Sequence, residues 1–118
     1  MSESKRFDIR PWGRWDLLEE RAGYKVKKIT VDPGERLSLQ AHHHRSEHWV
    51  FVVGRGKVVK GEETLCVARG DYLYINQQEK HRVENTDDGP LVFIEVQQGE
   101  RLEEDDIVRF QDDYGRIP

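Results

Sequence analysis

An all-β chain folded as a small jelly-roll barrel is predicted by three features of this sequence. Glycine and proline punctuate short runs, several runs alternate apolar with polar residues, and a helical period is sustained nowhere. The runs fall at residues 24–31, 36–41, 48–53, 57–60, 64–68, 71–75, 81–85 and 91–97, which is strand length and strand spacing. Between them lie Asp32-Pro33-Gly34, Gly54-Arg55-Gly56, Gly61-Glu62-Glu63, Arg69-Gly70-Asp71 and Asp87-Asp88-Gly89-Pro90, residue types that supply the preset or positive φ angles of tight turns. Leu37, Leu39 and Ala41 alternate with Ser38 and Gln40, and Leu73 and Ile75 with Tyr72 and Tyr74, so these runs have two distinct faces. A β domain of this size must hide its strand edges, and closing eight strands into a barrel or sandwich does so.

The ends are less regular. Residues 10–20 carry Trp12, Trp15, Leu17 and Leu18, and read as an added edge strand whose aromatic residues anchor packing, or as an arm lying on a second subunit. The chain of 118 residues is expected to form one domain: an arm at 1–22, a barrel at 23–98 and a tail at 99–118.

Hydrophobic and charged residues each make up 36% of the chain, with 19 Lys and Arg against 23 Asp and Glu. The net charge of −4 leaves no basic stripe for nucleic acid or an anionic membrane, and both partners are discounted. The single cysteine, Cys66, lies in the run Thr64-Leu65-Cys66-Val67-Ala68; it has no partner for an intramolecular disulfide and is expected to be a buried thiol. Residues 1–6 lack the apolar core of a signal peptide, and no run approaches the ~20 apolar residues that span a bilayer. Cytoplasmic residence is the resulting expectation.

All five histidines fall in two short stretches: His42, His43, His44 and His48, then His81. A neutral imidazole donates a nitrogen lone pair at physiological pH, so this clustering points to a metal. Residues separated by one share a strand face, which would let His42 and His44 converge on one ion while His43 points away. His81 would arrive from a distant strand, and an open coordination position would remain for substrate or water.

The two spacings, Gly34-x7-His42-x-His44-x3-His48-x5-Gly54 and Gly70-x5-Asn76-x-Gln78-x2-His81-x3-Asn85, resemble the paired motifs of the cupin superfamily. That resemblance implies a double-stranded β-helix. Asn76 and Gln78 stand where the second motif usually has Pro and Gly. Counting forward from His42-x-His44 makes His48 the fourth ligand; counting back from Gly54 makes it Glu47. Neighbours on a strand face opposite ways, so only one of the two can point inward, and a deletion in the hairpin around Gly54 is easier to absorb than one within a coordination shell. His48 is the expected ligand on that ground, with Glu47 left as a neighbouring acid or base.

Longer strings are more specific. Arg10-Pro11-Trp12-Gly13, His42-His43-His44-Arg45-Ser46-Glu47-His48-Trp49, His81-Arg82-Val83-Glu84-Asn85 and Asp105-Asp106-Ile107-Val108-Arg109-Phe110 resemble the C-terminal cupin domain of type II mannose-6-phosphate isomerases, from about Arg10 to Arg116. In that family the domain usually follows a mannose-1-phosphate guanylyltransferase domain, absent from this chain, which is therefore expected to be a free-standing isomerase-type cupin. The resemblance implies interconversion of mannose 6-phosphate and fructose 6-phosphate through an enediol, assisted by one divalent metal (Zn, Mn, Fe, Co or Ni). It implies Glu47 as base and Arg45 as an oxyanion or phosphate partner. Phosphate would be held among Arg82, Arg109, Arg116 and Lys28, since fixed cationic donors suit a phosphate. A homodimer is expected. The alternatives are a non-catalytic module binding a sugar phosphate or nucleotide sugar, discriminated by whether Glu47 faces the metal, and a metal-dependent cupin oxygenase.

Overall fold

Eleven antiparallel strands build the computed structural model, which describes residues 5–117; no helix occurs among them. In chain order they are β1 (Phe7–Arg10), β2 (Gly13–Arg21), β3 (Tyr24–Val31), β4 (Leu39–Ala41), β5 (Ser46–Val53), β6 (Arg55–Lys60), β7 (Glu63–Ala68), β8 (Tyr72–Ile75), β9 (His81–Asn85), β10 (Leu91–Gln98) and β11 (Val108–Gln111). One sheet has the order β1-β2-β3-β10-β5-β8 and the other β11-β4-β9-β6-β7. Consecutive strands that lie in opposite sheets give the interleaved jelly roll expected of the turn spacing.

Three of the eleven strands lie outside the eight expected runs. The arm forms β1 and β2, and β2 pairs with β3, so it widens the six-stranded sheet. The tail forms β11, which pairs with β4. Strand β4 is shorter than the run at 36–41; Arg36 makes only an isolated bridge to Glu84. The turn at Gly54 has φ 86, and a Cβ there would collide with the Pro90 carbonyl oxygen, so this hairpin needs glycine on two counts.

Register divides the barrel interior into two zones. Across β3, β10 and β5, Ile29 and Phe93 sit beside Phe51, whereas one step on Lys27 faces Glu95 and Glu95 faces Trp49; a further step places Lys25, Gln97 and Glu47 in a row. Because alternate residues share a face, the same three strands line an apolar end and a polar end. The apolar end holds Val31, Phe51, Val58, Ile75, Val83, Leu91 and Phe93, each at most 1% exposed. Such side chains contribute roughly 1.5–3 kcal/mol apiece by leaving water. Trp49 stands on the boundary, with its ring 4.8 Å from Phe93 and 5.5 Å from His81.

The tail is clasped by polar contacts. Arg36 donates to both carboxylate oxygens of Asp113 at 2.6 and 2.9 Å, and the Tyr114 hydroxyl donates to Glu35 at 2.7 Å. Asn85, the last residue of the second histidine motif, donates to the Val31 and Gly89 carbonyls and accepts the Asp87 N–H, which explains its place as a turn organiser. Cys66 is exposed on β7, contrary to the buried thiol expected: the 64–68 run turns Val67 inward and its neighbour outward.

Candidate functional site

Strand β4 ends at Ala41 and β5 begins at Ser46, so residues 42–45 form a connection rather than a strand. The two-residue parity that would pair His42 with His44 therefore does not apply. His42 is buried; His43 and His44 are exposed, their backbone N–H groups each donating to the Asp106 carboxylate at 2.9 Å. Within β5 the parity holds and runs opposite to the expected one. Glu47, Trp49 and Phe51 face the interior, and His48 faces out, with Nδ1 2.6 Å from the Tyr72 hydroxyl and Nε2 2.7 Å from Gln98. The expected ligands His44 and His48 thus lie outside the cluster, and Glu47 faces into it, not outward as the non-catalytic alternative required. Its two carboxylate oxygens are, however, taken by Arg45 and Trp49, which makes it a fixed donor and not a free base. Val50, Val52 and Val53 are apolar yet exposed, so β5 offers no polar face from which its orientation could be read.

His42, Glu47 and His81 bring one ligand atom each within 4.8 Å of one another. The His42 Nδ1–H donates to the Asp106 carbonyl at 2.7 Å, and the His81 Nδ1–H to the Glu79 carbonyl at 2.9 Å. Carbonyl oxygens only accept, so both rings carry their proton on Nδ1 and turn an Nε2 lone pair inward. The His81 Nε2 is buried with no hydrogen-bond partner, and the His42 Nε2 stands 3.3 Å from a Glu47 carboxylate oxygen. Burial pulls the His42 pKa down to about 4, so this contact brings two lone-pair donors together rather than an ion pair. Burial also lowers His81. Two imidazoles oriented by backbone carbonyls and one carboxylate match the donor set of a divalent metal, and these three residues would hold it.

One cation already touches the cluster. Arg45 donates from Nε to Glu47 at 2.8 Å and places Nη2 3.2 Å from the His42 Nε2. Trp49 Nε1–H donates to the other Glu47 oxygen at 2.9 Å. Burial by itself would raise the Glu47 carboxyl, but the Arg45 guanidinium and then His42 hold it below the usual carboxylate range. Glu95, also buried, is pushed up by desolvation and by the charge of Glu47.

A cavity of about 330 Å³ opens in front of His42 and Arg45. Trp12 and Trp15 form one wall, Lys27, Glu95 and Gln97 rise from β3 and β10, and Arg109 and Arg116 come from the tail. The Lys27 ammonium lies 3.9 Å from the Trp15 ring centroid and 2.6 Å from Glu104. Two expected phosphate donors lie elsewhere. Lys28 is exposed because Lys25, Lys27 and Ile29 take the inner face of β3. Arg82 is buried outside the cavity, donating to the Leu37 carbonyl and to Gln111, where it fastens the tail.

Sequence reasoning missed Lys27, Gln40, Glu95 and Gln97. Gln40 precedes His42 by two, lines the same cavity and accepts from the Ser38 hydroxyl at 2.7 Å. Spacing reaches Gln40 alone of these four: five residues separate it from Gly34, as six separate Glu47 from Gly54, whereas Lys27, Glu95 and Gln97 lie outside both histidine motifs.

The family model described as Mannose-6-phosphate isomerase C-terminal matches residues 2–112. Xanthan biosynthesis protein XanB of Xanthomonas campestris pv. campestris is 50% identical over 107 residues, covering 91% of this chain and 23% of that protein. Mannose-1-phosphate guanylyltransferase ManC of Salmonella typhimurium is 48% identical over 108 residues, 92% of this chain and 22% of its own length. The chain spans less than a quarter of these relatives. A Klebsiella pneumoniae protein with a double-stranded β-helix domain superposes with a TM-score of 0.70 at 17% identity, over 80% of each chain. That likeness is one of fold, and it is the fold the histidine motifs predict. The relatives' names correct the expected activity: they name guanylyl transfer and polysaccharide biosynthesis, not interconversion of mannose 6-phosphate and fructose 6-phosphate. Among the described residues no helix is long and apolar enough to cross a membrane.

Proposed function

The chain belongs to the mannose-6-phosphate isomerase C-terminal family, and from that premise we propose that it is a metal-holding cupin module that binds a mannose phosphate in the service of mannose 1-phosphate guanylyl transfer. The observation that carries this reading is the pairing of a buried His42–Glu47–His81 donor set with a cavity walled by tryptophans and basic side chains. Aromatic faces pack against the C–H faces of a sugar ring, and guanidinium and ammonium groups complement its phosphate. A bound divalent cation supplies a fixed positive charge that polarises a ligand oxygen. The relatives of this chain that carry guanylyltransferase names support the mannose phosphate as the ligand class.

The residues around the donor set have separable tasks. The Asp106 and Glu79 carbonyls orient the imidazoles, Trp49 fixes one carboxylate oxygen of Glu47, and Arg45 balances its charge. Trp12 and Trp15 close the cavity on the side of the arm and exclude water there.

Calorimetric titration of the purified chain, with and without zinc or manganese, tests the proposal. Mannose 1-phosphate or mannose 6-phosphate is expected to bind, more tightly with metal, and unphosphorylated mannose at least ~10-fold more weakly, the loss expected when charge-assisted phosphate contacts are missing. Equal binding of mannose and its phosphates, or none by either, would overturn it.

A further inference from the structure

We propose that Arg109, with Arg116 and Arg10 beside it, forms a seat for a phosphate monoester at the mouth of the cavity. This deepens the phosphohexose reading above and rests on it for the sugar, though not for the phosphate. The seat joins the two ends of the chain. Arg10 closes β1, Arg109 lies in β11 and Arg116 follows it in the tail, and all three line the one cavity.

The three guanidiniums are not equivalent. Arg116 donates to both carboxylate oxygens of Asp112 at 2.9 and 2.7 Å, and Arg10 donates to Asp8 at 3.1 Å. Those carboxylates hold the two outer arginines in place. Arg109 is the inner one: its Nε is buried and has no hydrogen-bond partner. A buried donor left unmatched is costly, and a fork of parallel N–H donors is the shape that matches two phosphate oxygens. Burial first, and then Arg116, work against the charge of Arg109, with Asp112 offsetting part of this and Arg10 adding to it. An arriving dianion would therefore support a guanidinium that the fold leaves short of negative partners.

Strand register sets the distance from this seat to the donor cluster. Arg109 pairs with Gln40 across β11 and β4, and Gln40 pairs with His81 across β4 and β9. Directly opposed residues share a face, so Arg109, Gln40 and His81 form a row, with the outer two separated by two strand spacings, or about 10 Å. A hexose monophosphate extends over such a span. Its phosphate would sit on Arg109, its ring would pass Gln40, and its far hydroxyls would approach His42. The cavity of about 330 Å³ fits that ligand and is at the low end of pocket sizes, which disfavours a whole nucleotide sugar.

The test is titration of the full chain, zinc-loaded, with inorganic phosphate, mannose 1-phosphate, mannose 6-phosphate and GDP-mannose, repeated for Arg109→Gln and Arg109→Lys. Arg109→Gln is expected to weaken phosphate and both mannose phosphates by at least ~10-fold while zinc content stays that of the parent. Arg109→Lys keeps the charge but loses the fork and is expected to fall between. Unchanged phosphate affinity in both variants, a parent that binds no phosphate, or tightest binding by GDP-mannose would overturn the seat. If inorganic phosphate binds through Arg109 but neither mannose phosphate binds more tightly than it, the seat stands and the phosphohexose reading fails.

Discussion

Glu47 and His48 are neighbours on β5 and face opposite sides of it: the Glu47 carboxylate is sealed in the barrel between Arg45 and Trp49, and the His48 ring lies outside between Tyr72 and Gln98. Metal content should follow that division. Glu47→Gln and His81→Ala are expected to weaken zinc binding by more than roughly 100-fold, beyond the effect of losing an outer-shell partner. His48→Ala and His44→Ala should bind zinc as the parent does. Elemental analysis after dialysis against a weak chelator reads the difference, and loss of zinc in His48→Ala would reject the assignment.

Arg45 and Glu47 form a buried pair whose partners are 8% and 1% exposed. Removing one member leaves the other charge uncompensated, at a cost of about 3–5 kcal/mol. Arg45→Met should therefore lower stability by about that amount in the presence of a chelator, and excess zinc should return part of it by replacing the lost positive charge beside Glu47. Urea unfolding under both conditions measures it. A variant equally destabilised with and without zinc would show that no cation shares that carboxylate.

How far the residues alone reveal this molecule differs between its core and its site. The barrel follows from turn chemistry: Asp32-Pro33-Gly34 and Gly54-Arg55-Gly56 end strands where the structure ends them, and the alternation of Leu73 and Ile75 with Tyr72 and Tyr74 gives the right faces of β8. His42 and His81 were within reach because imidazoles are rare and clustered. Strand parity does not reach His44, because residues 42–45 are a connection and not a strand, and it gives no direction for Glu47, because the exposed valines of β5 hide which face is inner. Lys27 and Glu95 could not be singled out from one sequence. They become site residues only through the register of β3 against β10.

Acid should loosen the tail through Asp112. Two hydrogen bonds from the Arg116 side chain, offset in part by burial, pull its carboxyl down to about 2 from an ordinary 3.8. A carboxyl with a depressed folded pKa stabilises the fold fully above its unfolded value, and that stabilisation is lost as pH falls through the folded one. The stability gap between the parent and Asp112→Asn should therefore be constant from pH 7 to about 5, and close between about pH 4 and 2. Denaturant unfolding at each pH gives the gap. One that persists at pH 2 would mean that the Asp112 contacts do not depend on its charge.

Gln78 is the one non-glycine residue with positive φ among those described, at 65°. It stands where the second cupin motif usually carries glycine, and its N–H donates to the His42 carbonyl at 2.7 Å, so the turn must take this shape to brace a residue of the donor set. A side chain in the left-handed region costs roughly 1–2 kcal/mol, and glycine's greater freedom in the unfolded chain offsets about half of that gain. Gln78→Gly is expected to raise stability by about 0.5–1 kcal/mol with zinc affinity unchanged. Gln78→Val, with a branched Cβ in the same conformation, should lower stability and, by shifting His42, weaken zinc binding. Thermal melting with and without zinc checks both variants. Destabilisation by glycine would show that the Gln78 side chain supplies more to this turn than its backbone conformation costs.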